Sequence, residues 1–232
     1  MRLSVIIPVY NEEKTLGLIV SRVAAVRFET QIIVVDDCST DQTPQVIQGL
    51  QHQYGTRVKA LRHEKNLGKG AAIRTGLGAV EGDIIMIQDA DLEYHPEDYP
   101  AALRLIEEGW ADAVYGSRFL GPHRVFLHWH YMANKLLTFL VNIAADCILT
   151  DIETGFKMIR ADVLNSLAIE SFKFDFEVEV TIKLLRGRYR VYEIPITYTG
   201  RGYDEGKKIT WKDGVHALAA IVKWSFLCRR KR

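Results

Sequence analysis

Two carboxylates follow a short apolar run in the segment DIIMIQDAD, residues 83–91. The run Ile84 to Ile87 is typical of a strand buried on both faces of a parallel sheet. Asp89 and Asp91 are two residues apart, so on extended backbone they project to the same side. Open α/β sheets bind ligands at the carboxyl ends of their strands, and carboxylate oxygens suit Mg²⁺ or Mn²⁺ shared with phosphate. The segment therefore predicts a metal and diphosphate site, the alternative being that one carboxylate caps the helix that Pro96 opens.

Three other predicted strands also end in polar residues. The first is followed by residues 10–13 (YNEE), the second by Asp36 and Asp37, and another by Ser117 and Arg118. The carboxyl ends of parallel strands lie at one edge of a sheet, so we expect these side chains to converge on one crevice. Their number makes a nucleotide-sized site the leading hypothesis.

Composition narrows the class of protein. The chain has 232 residues, of which 48% are hydrophobic and 25% charged, and a formal charge of +1. These values indicate a globular protein and argue against a general nucleic-acid binder. Cys38, Cys147 and Cys228 are far apart, which favours neither a disulfide framework nor a zinc site and fits a reducing cytoplasm. The N-terminus predicts a first strand, not a signal peptide.

The order of elements predicts an α/β fold. Strand and helix patterns alternate through the first half, which indicates a mostly parallel sheet with helices on both faces. Pro195 interrupts the last predicted strand and so assigns it to the neighbourhood of an edge. The predicted strands are 3–9, 31–35, 58–61, 84–87, 113–116 and 191–198; the predicted helices are 14–26, a second capped by Ser39 or Thr40 and running to 54, then 70–80, 96–108, 132–149, 161–167, 174–186 and 211–228.

Two glycine-rich segments could contact phosphate. NLGKG, residues 66–70, lacks the ending of a P-loop; either Lys69 faces a diphosphate from a helix N-terminus, or the glycines serve the backbone of the loop. GRGYDEGKK, residues 200–208, carries Arg201, Lys207 and Lys208. This segment is either a loop that closes over phosphates or a solvated basic turn, and its position after the last strand favours closure.

Seven motifs, taken in order, resemble those of one enzyme family. They are PVYNEE, VVDDCSTD, NLGKGAA, QDADLEYHPE, YGSRF, DIETGFK and EIPITYTGRGYDEGKK. Together they are similar to family-two glycosyltransferases with the GT-A fold and, more narrowly, to dolichol- or polyprenyl-phosphate hexosyltransferases. The resemblance covers nearly the whole chain. It implies a single GT-A domain over 1–232, with a nucleotide-sugar-binding half (1–120), an acceptor half with the closing loop (121–210), and a C-terminal amphipathic helix with a basic tail (211–232).

The resemblance also implies roles for individual residues. Donor contacts fall on Pro8, Tyr10, Glu12, Val35, Asp37, Asp89, Ala90, Asp91, Arg118, Arg201 and Lys207, and metal contacts on Asp89, Asp91 and Glu93. Of these, Asp91, Arg118, Arg201 and Lys207 are the expected catalytic residues. Candidates for the acceptor phosphate are Arg124, Asn134 and Lys135, although the spacing in GPHRVFLHWHYMANK differs from that of the family.

The activity implied is inverting transfer of a hexose from a nucleotide sugar to polyprenyl phosphate, with Mg²⁺ or Mn²⁺. GDP-mannose is the first expectation for the donor and UDP-glucose the alternative. A phosphomonoester has a second pKa of about 6 and needs no strong base. A saccharide hydroxyl acceptor would need one, from Asp151, Glu153, Asp175 or Glu177. A non-enzymatic alternative is a nucleotide-sugar-binding subunit.

Two apolar helical segments suggest contact with a membrane surface. Residues 132–149 approach the roughly 20 residues needed to cross a bilayer, but Lys135, Asn142 and Asp146 interrupt them. Residues 214–228 are shorter, and a basic tail, 229–232, follows. We expect interfacial helices on a protein that is peripheral at the cytoplasmic, inner face of a membrane or relies on a membrane-embedded partner protein.

Overall fold

A computed structural model describes residues 1–173, 175–200 and 211–227, without the side chains of 211–213 and 215. The predictions on Arg201, Lys207, Lys208 and the basic tail, 229–232, therefore lie outside the described residues.

The described residues form a seven-stranded sheet. Its strands are β1 (Leu3–Val9), β2 (Thr30–Asp36), β3 (Val58–Arg62), β4 (Ile84–Ile87), β5 (Ala113–Ser117), β6 (Lys157–Arg160) and β7 (Val191–Pro195). Their order is β3-β2-β1-β4-β6-β5-β7. Only β6, among these strands, runs against its neighbours, pairing antiparallel with β4 and β5. The mostly parallel sheet predicted from the sequence is therefore confirmed, and β7 is an edge strand as Pro195 indicated.

Helices cover both faces of this sheet. They are α1 (Leu16–Ala25), α2 (Thr43–Tyr54), α3 (Lys69–Leu77), α4 (Tyr99–Glu107), α5 (His128–Ala145), α6 (Ala161–Ser166), α7 (Asp175–Arg186) and α8 (Trp211–Leu227). Side chains alternate across the strands, so Ile6 and Ile33 belong to the core under α3, α5, α7 and α8. Val5 and Ile32 belong to the core under α1, α2 and α4. This two-sided burial explains the continuous apolar runs of the central strands.

Several predicted boundaries were wrong for local reasons. Helix α5 ends at Ala145, not at residue 149, because Asp146 adopts left-handed backbone with φ 57°. Strand β7 ends at Pro195 rather than at residue 198, and Tyr198 instead forms isolated bridges with Tyr94 and His123. Strand β6 was not predicted at all.

The start of α2 was also wrong. The helix begins at Thr43, and neither Ser39 nor Thr40 caps it. The backbone N–H of Thr43 instead donates to Asp41 Oδ1 at 2.9 Å, which leaves the Ser39 hydroxyl to contact a neighbouring loop.

Candidate functional site: a charged crevice at the carboxyl edge of the sheet

The loops after β1 and β2 are joined by side-chain hydrogen bonds. Ser39 Oγ accepts the backbone N–H of Asn11 at 2.9 Å, and Asn11 Oδ1 accepts that of Thr40 at 2.8 Å. The backbone N–H of Glu12 donates to Thr43 Oγ1 at 3.0 Å. These bonds hold together one side of the carboxyl edge of the sheet, where the loops after β1, β2, β4 and β5 lie; we call this region the crevice.

Three of the six described non-glycine residues with positive φ lie beside this crevice. Asn11, Cys38 and Leu92 have φ values of 53°, 65° and 64°, and they lie in the loops after β1, β2 and β4, respectively. Left-handed backbone costs a non-glycine residue about 1 kcal/mol or more and is enriched at functional sites. The three positions therefore support the location predicted from the polar strand ends.

The residues predicted to contact the nucleotide lie on this side of the crevice with different exposure. Tyr10 is exposed, Pro8 and Glu12 are half-buried, and the Val35 side chain is part of the core. Asp37 is buried and accepts hydrogen bonds from the backbone N–H groups of residues 67 and 68, at 2.9 and 2.7 Å, and lies 2.7 Å from His63 Nδ1. The Asp37 carboxylate thus holds the NLGKG segment against the second strand.

That segment needs its glycines for close backbone packing. A Cβ at Gly68, whose φ is +97°, would lie 2.6 Å from the carbonyl oxygen of Phe172, and one at Gly70 would lie 2.8 Å from that of Ser171. Contacts this short exclude a side chain at either position. Of the two alternatives left open for NLGKG, the backbone role of its glycines is the one that these contacts support.

Lys69, between the two glycines, connects two elements that are distant in sequence. Its Nζ lies 2.8 Å from Asp89 Oδ1, after β4, and 2.9 Å from Glu177 Oε1, on α7. Burial alone would lower the pKa of Lys69, but the two carboxylates outweigh it and hold that pKa above its ordinary value. The lysine thereby fixes the first aspartate of the QDAD motif.

The second aspartate, Asp91, lies in a turn with Glu93. Asp91 Oδ1 accepts the backbone N–H of Glu93 at 3.2 Å, and Glu93 Oε2 accepts the Tyr198 hydroxyl at 2.7 Å. Ala90, the residue between the aspartates, is buried. Asp91 and Glu93 are both half-buried.

The donor set here suits a hard divalent cation. Within the described ranges, no group of three or more His, Cys, Asp or Glu side chains is arranged to hold a metal ion. Mg²⁺ and similar ions are commonly held by one or two carboxylates while substrate phosphates complete the coordination. The carboxylates of Asp91 and its neighbours fit that arrangement, in which an ion is shared with a bound diphosphate.

Arg118, at the end of β5, is held by a buried carboxylate. Its Nε donates to Asp151 Oδ2 at 2.7 Å, and its Nη2 donates to Asp151 Oδ1 at 2.6 Å. Asp151 is fully buried, and Arg118 is 8% exposed. The guanidinium also lies over the Tyr198 ring, 5.5 Å from its centroid. Asp151 was one of the candidate bases, and this bidentate pair makes it instead the group that orients Arg118.

Asp151 belongs to a loop, residues 150–156, that many hydrogen bonds hold in place. The backbone N–H groups of Thr150 and Asp151 donate to the Glu193 carboxylate, and that of Gly155 donates to the Tyr94 hydroxyl at 2.8 Å. Inside the loop, Lys157 Nζ donates to the carbonyl oxygens of Ile152 (2.9 Å) and Thr154. These hydrogen bonds hold the loop in place, with Asp151 bound to Arg118 near one end and Gly155 packed against Asp89 near the other.

Seven ionisable side chains form what we call the buried charge network: Lys69, Asp89, Arg118, Asp151, Glu153, Lys157 and Glu177. Burial, and then the negative charge of Glu177, raise the pKa of Glu153 to about 7. Burial lowers the pKa of Lys157 to about 8, with Lys69 adding to the effect. Among the residues that the structure describes, Glu153 Oε1 and Glu177 Oε2 are buried and accept no hydrogen bond.

The acceptor-phosphate candidates differ in their distance from Arg118. Lys135 Nζ lies 4.9 Å from the centroid of the Phe119 ring, and Arg118 Cζ lies 5.8 Å from the same centroid. Arg124 is exposed and donates from Nη1 to the carbonyl oxygen of Gly200 at 3.2 Å. Asn134 is half-buried on α5. Lys135 and Arg118 thus both contact the Phe119 ring, and Arg124 contacts the segment that precedes residue 201.

Sequence reasoning missed three contributors to this site. Tyr94, Tyr198 and Lys157 all occur inside the motifs that carried the resemblance. The hydrogen-bond partner of Tyr94 is 61 residues away in sequence and that of Tyr198 is 105 residues away, whereas the two partners of Lys157 are only 3 and 5 residues away. Only Lys157 had a local signal, as a lysine that ends an otherwise apolar or small-residue stretch.

Comparison with known proteins identifies the family. Residues 4–168 match the family described as glycosyl transferase family 2. This chain belongs to that family. It is 31% identical to a dolichol-phosphate mannosyltransferase of Pyrococcus furiosus over 97% of this chain and 64% of that protein. It is 30% identical to a polyprenol monophosphomannose synthase of Mycolicibacterium smegmatis, over 100% of this chain and 89% of that protein. It is also 30% identical to an undecaprenyl-phosphate mannosyltransferase of Micrococcus luteus, over 99% of this chain and 96% of that protein.

Solved structures show the same fold in more distant glycosyltransferases. Glucosyl-3-phosphoglycerate synthase of Mycobacterium tuberculosis, crystallised with Mn²⁺ and UDP, has a TM-score of 0.73 and 20% identity, covering 97% of this chain and 80% of that one. The structure of TarS of S. aureus in complex with UDP-GlcNAc has a TM-score of 0.65 and 21% identity, covering 97% of this chain and 66% of that one. The predicted GT-A fold is therefore confirmed.

Proposed function

We propose that this enzyme transfers a hexose, with mannose from GDP-mannose as first choice, from a nucleotide sugar to a polyprenyl phosphate, with inversion. The observation that carries the proposal is similarity, over almost all of this chain, to three proteins named for mannosyl transfer to dolichol, polyprenol or undecaprenyl phosphate. The chain spans 64% of the length of the first of these relatives. The identities of the acceptor and the donor are therefore part of this proposal. UDP-glucose is the alternative donor.

The crevice supports this chemistry through its charges. The bond between the anomeric carbon and the donor diphosphate breaks while an oxygen of the polyprenyl phosphate bonds to that carbon from the opposite face. The nucleoside diphosphate leaves with the electron pair. Because the attacking phosphate is already anionic near neutral pH, no side chain has to remove a proton. The chain must instead stabilise the negative charge on the departing diphosphate, and Arg118, oriented by Asp151, is suited to that role.

A divalent cation fits beside Arg118. Asp91, with Asp89 and Glu93 nearby, would hold Mg²⁺ or Mn²⁺, which would supply Lewis-acid stabilisation of the leaving diphosphate. Tyr198 holds one Glu93 oxygen and Lys69 holds one Asp89 oxygen. The resemblance to the family, in which Asp91 matches a metal-binding position, leads us to assign Asp91 as the principal metal-binding residue. Arg201 and Lys207, outside the described residues, are proposed to complete the charge around the diphosphate.

The acceptor side is proposed to lie near Lys135. This lysine and Arg118 both lie beside the Phe119 ring, with Arg124 and Asn134 as further candidates to hold the lipid phosphate. Lys135 Nζ also donates to the carbonyl oxygen of Thr150 at 3.3 Å, which links it to the loop that carries Asp151. A phosphate between Lys135 and Arg118 would stand beside the donor diphosphate.

An exposed apolar face supports contact with a lipid surface. On α5, Trp129, Met132, Leu136, Phe139 and Ile143 are exposed at helical spacing, and on α8 so are Leu218, Val222 and Phe226. Among the described helices, none is both long enough and apolar enough to cross a bilayer. A stripe of this kind fits a helix lying in the membrane interface. We propose peripheral association at the cytoplasmic face, alone or with a membrane-embedded partner protein.

A partition assay tests the proposed activity. Radioactive GDP-mannose, UDP-glucose, UDP-galactose and UDP-N-acetylglucosamine are each incubated with the enzyme and Mn²⁺, with and without undecaprenyl phosphate. We expect label to enter the organic phase with one donor and only when the lipid is present. Asp91→Ala should abolish transfer while circular dichroism stays unchanged. The matched control is Asp162→Ala, because Asp162 pairs with Arg160 at the surface on α6. Transfer by Asp91→Ala at the wild-type rate would refute the assignment of Asp91.

A second function has one specific observation in its favour. If the acceptor were a saccharide hydroxyl, Glu153 would be the member of the predicted pool suited to act as base, since its pKa is raised to about 7 by burial. Asp151 is committed to Arg118, Glu177 to Lys69, and Asp175 accepts the backbone N–H of Lys173 at 2.9 Å. A water-soluble labelled product formed without polyprenyl phosphate would favour this function.

A further inference from the structure

The buried charge network leaves one carboxylate with capacity to accept hydrogen bonds from a ligand in the crevice. Asp151 binds Arg118 with both of its oxygens, and Asp89 binds Lys69. Glu177 is paired with Lys69 and is only 2% exposed. Glu153 is different, because its Oε1 accepts no hydrogen bond from the described residues while part of the side chain remains accessible.

The position of Glu153 is set by the loop that carries it. Two residues before Glu153, Asp151 binds Arg118. Two residues after it, Gly155 packs on Asp89 so closely that there is no room for a Cβ. Glu153 therefore lies between the arginine proposed for the diphosphate and the aspartates proposed for the metal. A sugar attached to that diphosphate would be within this span.

The backbone on both sides of Glu153 is held in place by Lys157. Lys157 Nζ donates to the carbonyl oxygens of Ile152 and Thr154, the two residues that flank Glu153. The Lys157 ammonium is itself fully buried, and it lies 4.7 Å from the centroid of the Tyr115 ring. Residues with such support keep the geometry that selective recognition needs.

The chemistry of the Glu153 carboxylate indicates its ligand. A largely buried carboxylate that has no donor is costly, and a ligand that supplies an O–H group to its accessible part reduces this cost. Of the groups on a nucleotide sugar, the phosphates carry negative charge and would be repelled, whereas the hexose hydroxyls are donors. A hydrogen bond from a hydroxyl to a charged carboxylate is among the stronger kinds.

We infer that Glu153 binds hydroxyl groups of the donor hexose and helps to determine which hexose the enzyme accepts. The inference rests on the proposed function, because it requires a nucleotide sugar in the crevice. It differs from the role of base, because Glu153 then acts in binding the donor and not in removing a proton from an acceptor.

Calorimetric titration separates the hexose from the nucleotide. Wild type, Glu153→Gln and Glu153→Met are titrated with GDP and with GDP-mannose in the presence of Mn²⁺, and with UDP and UDP-glucose as the second pair. Loss of a hydrogen bond to a charged group weakens binding by roughly ten- to a hundred-fold. We expect Glu153→Met to lose that much affinity for the nucleotide sugar and to keep its affinity for the nucleoside diphosphate. Glu153→Gln, which retains one acceptor oxygen, should lose less.

A control variant separates hexose binding from a general effect of removing a carboxylate. Glu81→Met removes a carboxylate that pairs with Arg2 at 2.9 Å, at the opposite edge of the sheet, and should change neither affinity. Equal affinity of Glu153→Met and wild type for the nucleotide sugar would overturn the inference. So would an equal loss for nucleotide and nucleotide sugar, or a fall in kcat with unchanged donor affinity, which would indicate a base. Wild type that binds none of the four ligands would overturn the proposed function itself.

Discussion

Replacement of Gly155 by alanine tests how tightly the loop 150–156 packs on the first aspartate of the QDAD motif. A Cβ at this position would lie 2.2 Å from Asp89 Oδ2 and 2.9 Å from Tyr94 Cε2, whereas ordinary van der Waals contact begins at about 3.4 Å. Either Asp89 or the loop must therefore move by about 1 Å. Gly155 is not among the glycines with positive φ, so the effect is steric and not a matter of backbone conformation.

The cost can be worked from the contacts. Overpacking of a filled site typically costs about 1–3 kcal/mol. A displaced Asp89 would also separate from Lys69, whose Nζ is 2.8 Å from it and is anchored to Glu177. We expect Gly155→Ala to lower the free energy of unfolding by about 2–3 kcal/mol, or the melting temperature by very roughly 4–12 °C for a chain of this size.

Gly49→Ala is the matched control, because it makes the same chemical change where there is space. Gly49 lies in the interior of α2, and a Cβ there would meet nothing within 4 Å. Alanine is the better helix former, so this variant should gain about 0.5–1 kcal/mol. The two variants therefore shift stability in opposite directions.

Urea denaturation followed by circular dichroism measures both effects. The slopes of the transitions should agree, so that the midpoints report stability alone. Calorimetric titration with the preferred nucleotide sugar and Mn²⁺ should show weaker binding to Gly155→Ala and unchanged binding to Gly49→Ala. A Gly155→Ala enzyme with the wild-type midpoint and wild-type affinity would refute the contact between this loop and Asp89.

Two further predictions concern pH and the exposed helix face. Because burial raises the pKa of Glu153 from 4.5 to about 7, the folded chain binds more protons than the unfolded chain in that window. As pH rises from 4.5 to about 7, the free energy of unfolding of the wild type should fall relative to that of Glu153→Gln, by at most about 1.4 kcal/mol per pH unit. If urea unfolding gave the two proteins parallel stability profiles over this pH range, the prediction would be wrong. Replacement of Phe139 by Asp should weaken flotation with anionic vesicles several-fold, whereas Leu18→Asp, which adds the same charge on α1, should not. Equal flotation of wild type and both variants would exclude α5 as the membrane-binding face.

The sheet and the location of the crevice could be predicted because their signals are local. Apolar runs such as Ile84 to Ile87 specify buried strands, and the polar residues that end them must meet once the strands are parallel. Strand β6 escaped prediction because its four residues include Lys157 and Arg160, and it is a strand only through pairing with both β4 and β5. Periodicity cannot reveal a segment that is defined by its neighbours.

The roles of the charged residues could not be predicted because their partners are distant in sequence. Asp151 was a plausible base from its position alone, and only the fold brings it to Arg118, 33 residues earlier. Lys69 had two open interpretations, and only the fold shows its ion pairs with Asp89 and Glu177. Residue types could indicate that charge collects at this edge, whereas the pairing of those charges depends on tertiary structure.

That pairing has a consequence for how a dianionic donor could bind. The buried charge network contains four carboxylates and three cationic side chains, and Asp91 and Glu93 stand beside it. Even with Glu153 protonated, the floor of the crevice therefore carries more negative than positive charge. Arg118 and Lys69 are already neutralised by Asp151, Asp89 and Glu177. A diphosphate would be repelled unless further positive charge accompanied it. We therefore expect a divalent cation, together with the proposed contribution of Arg201 and Lys207, to strengthen nucleotide-sugar binding itself, and not only the transfer step.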